Sequence, residues 1–125
     1  LLAYLREFCG KLFDNSSIQL EVDFPFQMEE FTLSPHSRKN IFLAVKESLN
    51  NSLKYSQASS LKIAYYMLHS KHIIVIEDNG IGFNLAHVRK FGNGIHNIQK
   101  RLKDIDGEAQ IWSEEGKGTR IQLQF

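Results

Sequence analysis

The sequence predicts an α+β fold, a two-layer α/β sandwich with helices packed on one face of a mixed sheet. Three observations carry this. Leu2-Leu5-Phe8-Leu12, Phe42-Val45-Leu49-Leu53 and Ile95-Ile98-Leu102-Ile105 each place apolar residues at helical spacing. Between them lie short alternating or continuously apolar runs of strand length. Only two prolines occur, and neither a repeat nor a low-complexity tract divides the 125 residues, so residues 1–125 read as one layered domain.

Taken in order, Leu1 to Phe13 is an amphipathic helix, and Ile18 to Phe24 alternates as a strand does. Pro25 to Ser34 is a connector, with room for a short strand at Phe31–Leu33. Ser34-Pro35 is a strong helix start, a capping serine with proline at the first helical position, and the helix should run to about Tyr55. Leu61 to Leu68 and His72 to Asp78 form two strands joined by a tight turn around Ser70. The unbroken apolar run Ile73–Ile76 places the second of these centrally in its sheet. The third helix stops at Asp106-Gly107, a C-cap pattern. Ala109–Trp112 and Thr119–Phe125 close the chain as a hairpin around EEGKG.

Composition narrows the function classes. A hydrophobic share of 42%, a charged share of 23% and a net charge of +1 describe an ordinary globular domain, with no pull toward nucleic acid or an anionic membrane. The single cysteine, Cys9, reads as a small buried hydrophobe and fits a reducing, cytoplasmic compartment. No apolar run approaches the roughly 20 residues that cross a bilayer. The opening LLAYLREF, without methionine, reads as a piece of a longer parent, which would carry any sensor or membrane anchor.

Three stretches could carry chemistry. In KESLNNSLKY, Glu47, Asn51 and Lys54 fall on one helix face at about 100° per residue, nearly opposite the Phe42–Leu53 stripe. Alone, this is better read as a solvated polar face. Two adjacent asparagines in mid-helix are nevertheless poor helix formers, and an amide oxygen suits Mg²⁺. In IEDNGIGF a buried strand ends on Glu77 and Asp78. A carboxylate there must be paired or face a cleft, where it could accept an exocyclic amine such as that of adenine. Gly80 and Gly82 allow close backbone approach, although an Asp-Asn-Gly turn is the plain alternative. In FGNGIHNIQKRL, Gly92 and Gly94 precede a helix whose free N–H groups could bind phosphate; otherwise they make a simple turn. EEGKGT is not a P-loop, since Gly118 stands where Ser or Thr is required, and neither glycine segment has the third glycine of a dinucleotide fingerprint.

Together and in this order, KESLNNSLKYSQAS, IEDNGIGF, GNGIHNIQKRL and GKGTRIQLQF resemble the ATPase superfamily of gyrase, MutL, heat-shock chaperones and histidine kinases. Most of all the chain resembles the catalytic ATP-binding domain of a two-component sensor histidine kinase, with these stretches as its N box, G1 box, G2 box and closing segment. About nine residues separate Gly82 from Gly92, which is similar to the short-lid members. The resemblance implies a Bergerat-type ATP-binding fold, with ATP and Mg²⁺ as the bound pair. It gives Asn51 to Mg²⁺, preferred over Asn50 because Glu47 lies one helical turn away. It makes Glu47 the acid that prepares the accepting histidine or a water, and sets Lys54 on phosphate oxygens. Tyr55 would flank the nucleotide, Asp78 take the adenine amine, and Gly80, Gly82 and Phe83 shape the base site and lid start. Gly92 and Gly94 would hold the triphosphate, and Thr119 would support the adenine pocket.

None of the five histidines has the setting of a phosphoacceptor, so the resemblance implies a catalytic half alone. Residues 1–14 would then be a linker helix from a dimerisation domain that bears the accepting histidine, with a response regulator downstream. No nucleic acid or membrane contact is expected, and a monomer in isolation. A nucleotide-binding regulatory module, anti-sigma-like or a degenerate kinase, is the alternative. A standalone ATP hydrolase of the gyrase or MutL kind ranks third, because those need a longer lid and further domains.

Overall fold

The computed structural model describes residues 1–25, 31–84 and 94–125. Its elements run α1 (Leu2–Phe13), β1 (Gln19–Asp23), α2 (Pro35–Asn51), β2 (Ser60–Leu68), β3 (Lys71–Asp78), α3 (Gly94–Lys103), β4 (Glu108–Ser113) and β5 (Thr119–Gln124). A single π-helical turn, Ser52–Ser56, continues α2. The five strands form one mixed sheet in the order β1-β2-β3-β5-β4. β1 lies parallel to β2, as the intervening α2 crossover requires, and the other pairings are antiparallel. Helices from all three segments share one core with one face of the sheet. Leu5 and Cys9 of α1, Ile41, Val45 and Leu49 of α2, and Ile98 and Leu102 of α3 meet Ile63, Ile74, Ile76, Ile121 and Leu123. The expected α+β sandwich with helices on one face is therefore the observed fold.

Local chemistry explains most boundaries. The Ser34 hydroxyl accepts from the Ser37 N–H at 3.1 Å, with Pro35 opening α2. His69 and Ser70 both have positive φ, which is the twist that a two-residue hairpin between β2 and β3 needs. β3 is the middle strand, and Ile73, Ile74, Val75 and Ile76 are all buried. α3 ends in a Schellman arrangement: Gly107 N–H donates to Leu102 C=O at 2.7 Å and Asp106 N–H to Lys103 C=O at 3.1 Å. The left-handed residue there is Asp106, not Gly107, at φ 59°. Gly107 is instead needed for space, because a Cβ would lie 2.5 Å from the Gln124 carbonyl oxygen.

Several expectations are corrected. No strand forms at Phe31–Leu33; Phe31 packs on the rings of His72, Tyr65 and Phe125. Burial pushes the His72 imidazole below its ordinary value, and His72 Nδ1 lies 2.7 Å from the Tyr65 hydroxyl. The buried stripe of α1 is Leu2, Leu5, Cys9 and Phe13, with Phe8 turned aside. That of α2 is Asn40, Ile41, Ala44, Val45, Ser48 and Leu49, while Phe42 packs half-buried at the margin of the core and meets Tyr4 and Phe8 edge-on at 5.2 and 5.1 Å. α2 thus meets α1 through Phe42 and packs against α3 on another side, so Glu47 and Asn51 are half-buried while His36, Arg38, Lys39 and Lys46 stay exposed. The helix named as a linker contributes its whole buried stripe to the common core, and burial raises the Cys9 thiol to about 11. Among the described residues no helix is long and apolar enough to cross a membrane.

Because Leu5 is fully buried in the shared core, Leu5→Ala should lower unfolding stability by about 2–5 kcal/mol while leaving one cooperative urea transition. A variant as stable as wild type would mean that α1 is only an appendage.

Candidate functional site

The strand run Ile73–Ile76 carries the central strand through the core and delivers Asp78 to its end, beside the last turns of α2. There the π turn faces the segment that follows β3. Asp78 is half-buried, and both carboxylate oxygens already have donors: Ser52 Oγ donates to Oδ2 at 2.9 Å and Gly80 N–H to Oδ1 at 3.0 Å. Both partners are neutral, and an ionised carboxylate accepts about four bonds, so acceptor capacity is left over. The adjacent pocket is lined by Asn51, Tyr55, Phe83, Ile95 and Thr119 as well as Asp78. Its walls are mostly apolar or aromatic with few polar groups, the usual build of a small-molecule site.

Backbone contacts hold the pocket's edge. Ile81 N–H donates to Ser56 C=O at 2.7 Å, and a Cβ on Gly80 would collide with that same carbonyl. Gly82 has φ +63°, and a Cβ there would strike the Glu114 carbonyl. Phe83 N–H donates to Ser113 Oγ at 2.8 Å, and Ser113 Oγ lies 2.8 Å from Thr119 Oγ1. Thr119 pairs directly with Asp78 across the sheet. Asn79 faces away from the pocket and ties β3 to β2, its Oδ1 accepting from the N–H groups of Ser59 and Ser60 at 3.0 and 2.9 Å.

On the other side, the first residue of α3 sits against α2. A Cβ on Gly94 would lie 2.7 Å from Asn51 Nδ2 and 2.8 Å from Glu47 Oε1. Glu47 and Asn51 are accordingly half-buried beside the N-terminus of α3. A helix start favours negative charge, and its first N–H groups have no partner within the helix.

Of the residues read from the sequence, Asn51, Tyr55, Asp78, Gly82, Phe83 and Thr119 border one pocket, with Gly80 packed beneath its edge. Glu47 and Gly94 meet next to Asn51, outside the pocket floor. Lys54 is exposed on the π turn and does not line the pocket, and Asn50 does not line it either. Gly92 lies outside the described residues. Sequence reasoning missed Ser52, Ser56 and Ser113, each of which anchors the pocket by one hydroxyl or carbonyl. Serine is too common in turns and helix ends for its type alone to have signalled them.

Fold and pocket together define a two-layer α/β domain with a small-molecule site at the end of its central strand. The profile of the histidine kinase-, DNA gyrase B- and HSP90-like ATPases matches residues 36–125, and the chain belongs to that family. Among its relatives, sensor histidine kinase LiaS of Bacillus subtilis strain 168 is 28% identical over 120 residues, covering 96% of this chain and 33% of LiaS. Sensor histidine kinase ComP of the same strain is 30% identical over 98 residues, covering 75% of this chain and 12% of ComP. The chain therefore spans a third or less of these two relatives. Among solved structures, the Erythrobacter litoralis EL346 blue-light activated histidine kinase superposes with a TM-score of 0.81 at 16% identity, covering all of this chain and 41% of that one. Acinetobacter baumannii histidine kinase AdeS gives 0.76 at 20% identity, over 98% of this chain and 63% of AdeS. These likenesses show the same fold.

Two of the three left-handed glycines among the described residues, Gly116 and Gly82, should behave differently. Gly116, at φ +81° in open space, should lose about 1–2 kcal/mol on substitution by alanine, the left-handed cost alone. Gly82→Ala should lose about 1–3 kcal/mol more, because the Glu114 carbonyl must also move. Urea midpoints of the two variants measure the difference, and equal losses would contradict the packing described.

Proposed function

We propose that this domain is the catalytic part of an ATP-dependent protein-histidine kinase of a two-component system. It would hold Mg·ATP between the end of α2 and the end of β3 and pass the γ-phosphate to a histidine on a separate dimerisation domain. A response regulator would receive it next, and α1 would carry the connection to the dimerisation domain. The observation that carries the reading is Asp78, a carboxylate with spare acceptor capacity in a largely apolar pocket that Asn51 also lines, the Asn51–Glu47 pair meeting the start of α3. Family membership supplies the ATPase class, and the sensor-kinase relatives favour a histidine as acceptor.

The residues fit the ligands proposed. Asp78 would accept the adenine amine, with Tyr55, Phe83 and Ile95 against the base and Thr119 supporting it. Gly80 and Gly82 let the backbone that borders the base site pack tightly on the Ser56 and Glu114 carbonyls. Mg²⁺ prefers hard oxygen ligands and keeps several waters, taking one or two protein oxygens beside the substrate phosphates, so the Asn51 amide oxygen is a suitable single ligand. The N–H groups at the start of α3, with Gly94, would face the phosphates, with Gly92 assisting and Lys54 reaching in from the π turn. Glu47 would orient the accepting imidazole or take its proton. ATP supplies the transferable phosphoryl group. This chain's residues contribute positioning and charge neutralisation, which is most of what phosphoryl transfer asks.

Calorimetry with ADP and phosphotransfer to a supplied dimerisation domain test the reading together. Asp78→Asn should weaken ADP by about 10- to 100-fold, the loss of one charged hydrogen bond of about 1.5–3 kcal/mol. Glu47→Ala should keep ADP binding and lower the transfer rate by about 10²–10⁴-fold. Folded wild type that binds no nucleotide would overturn the reading. Tight binding with no transfer to any acceptor would point to a regulatory module instead.

A further inference from the structure

Three serines, Ser48, Ser52 and Ser56, stand four residues apart on the buried side of α2 and its π turn, and all three are buried. A buried helical serine ordinarily satisfies its hydroxyl by donating to the carbonyl four residues back. Ser48 does so, to Ala44 C=O at 2.8 Å, and Ser56 does so, to Ser52 C=O at 2.5 Å. Ser52 does not. Its hydroxyl crosses 26 residues of sequence to Asp78 Oδ2 at 2.9 Å. Its own N–H is shared between the carbonyls of Ser48 and Leu49 at the point where α2 gives way to the π turn. Ser52 is thus turned out of the local pattern at the residue from which the pocket's carboxylate is held.

We propose that Ser52 is a positioning residue that sets base selection: it fixes Asp78 so that the pocket takes 6-aminopurine nucleotides and rejects 6-oxopurine ones. This rests on the nucleotide reading given above. With Ser52 Oγ donating to one oxygen and Gly80 N–H to the other, the plane of the carboxylate is set from both sides. Both contacts come from donors, so what the carboxylate still offers the pocket is acceptor capacity. An exocyclic amine meets that as a donor. A 6-oxo group would place acceptor against acceptor, leaving both without a bond, and unpaired polar groups are where strong discrimination originates. The π turn makes the arrangement rigid, because Ser56 C=O holds Ile81 N–H and blocks any side chain at residue 80. Removing the Ser52 hydroxyl leaves Gly80 as the lone anchor among the described residues and frees the carboxylate to rotate.

Calorimetric titration of ADP and GDP into wild type, Ser52→Ala, Ser52→Cys and Ser52→Thr decides it. The result expected is ADP binding about 5- to 20-fold weaker in Ser52→Ala and Ser52→Cys, a smaller change for GDP, and so a lower ADP-over-GDP preference. Ser52→Thr, which keeps the hydroxyl, should hold the wild-type preference. Ser52→Cys keeps the size with only a weak donor, so it carries the test if the alanine variant fails to fold. Unchanged ADP affinity and preference in both variants, or equal losses for ADP and GDP, would overturn the role of Ser52 while leaving the nucleotide site standing. Wild type that binds neither nucleotide would overturn both.

Discussion

The segment after the central strand is clamped on the last turns of α2, and the rest of the site depends on that clamp. β3 is the most buried strand, and a chain leaving such a strand must satisfy polar groups that water reaches poorly. Asp78 does this with Ser52 and the Gly80 N–H, and Ile81 does it with Ser56 C=O. Gly118, just ahead of β5, presses on the backbone of Asp78 as Gly80 presses on that of Ser56. Three backbone segments approach one another more closely than any Cβ would allow, so glycine at these points is a steric requirement rather than a sign of looseness.

The clamp also decides where polarity can survive. Helices cover one face of the sheet, and the polar side of α2 splits into an exposed part, with Arg38, Lys39 and Lys46, and a half-buried part near the start of α3. There Glu47 and Asn51 stand against Gly94, where the positive end of a helix offsets the cost of a half-buried carboxylate. On the open face of the sheet, charges alternate instead across one register row. Glu21 and Lys62 are 3.3 Å apart and Arg120 Nε lies 2.9 Å from Glu77, with Arg120 also over the Trp112 ring. These pairs are solvent-exposed and contribute little to stability. A stable scaffold on one side and a small polar site at the end of one helix follow from the same layer arrangement.

Much of this was legible because the signals are local. Ser34-Pro35 gives a helix start whatever surrounds it, and Ile73–Ile76 is too apolar to be anything but a covered strand. Family likeness drew the candidate residues together, and six of them border one pocket. What the sequence hid is tertiary in origin. A single apolar stripe is the right expectation for a helix covered on one side, and α2 is covered on more than one, so Phe42 and Ile41 exchange the roles that spacing alone would assign. The π turn Ser52–Ser56 reads in the sequence as the plain end of α2, because nothing in SLKYS differs from ordinary helical sequence. Ser52 looks like any helix-end serine until Asp78 is seen beside it. Asp106 takes the left-handed position that the adjacent glycine was expected to fill because aspartate tolerates that conformation, while Gly107 is spent on close packing.

Backbone amide chemical shifts followed while Mg·ADP is added would test the central claim most directly, that nucleotide sits between the end of α2 and the end of β3. The account predicts the largest changes at Ser52–Ser56, Asp78–Phe83, the first turn of α3 and Thr119. Tyr66, Glu108 and Gln122, on the open face of the sheet, should stay nearly still. Changes centred on that open face, or none at saturating nucleotide, would contradict it.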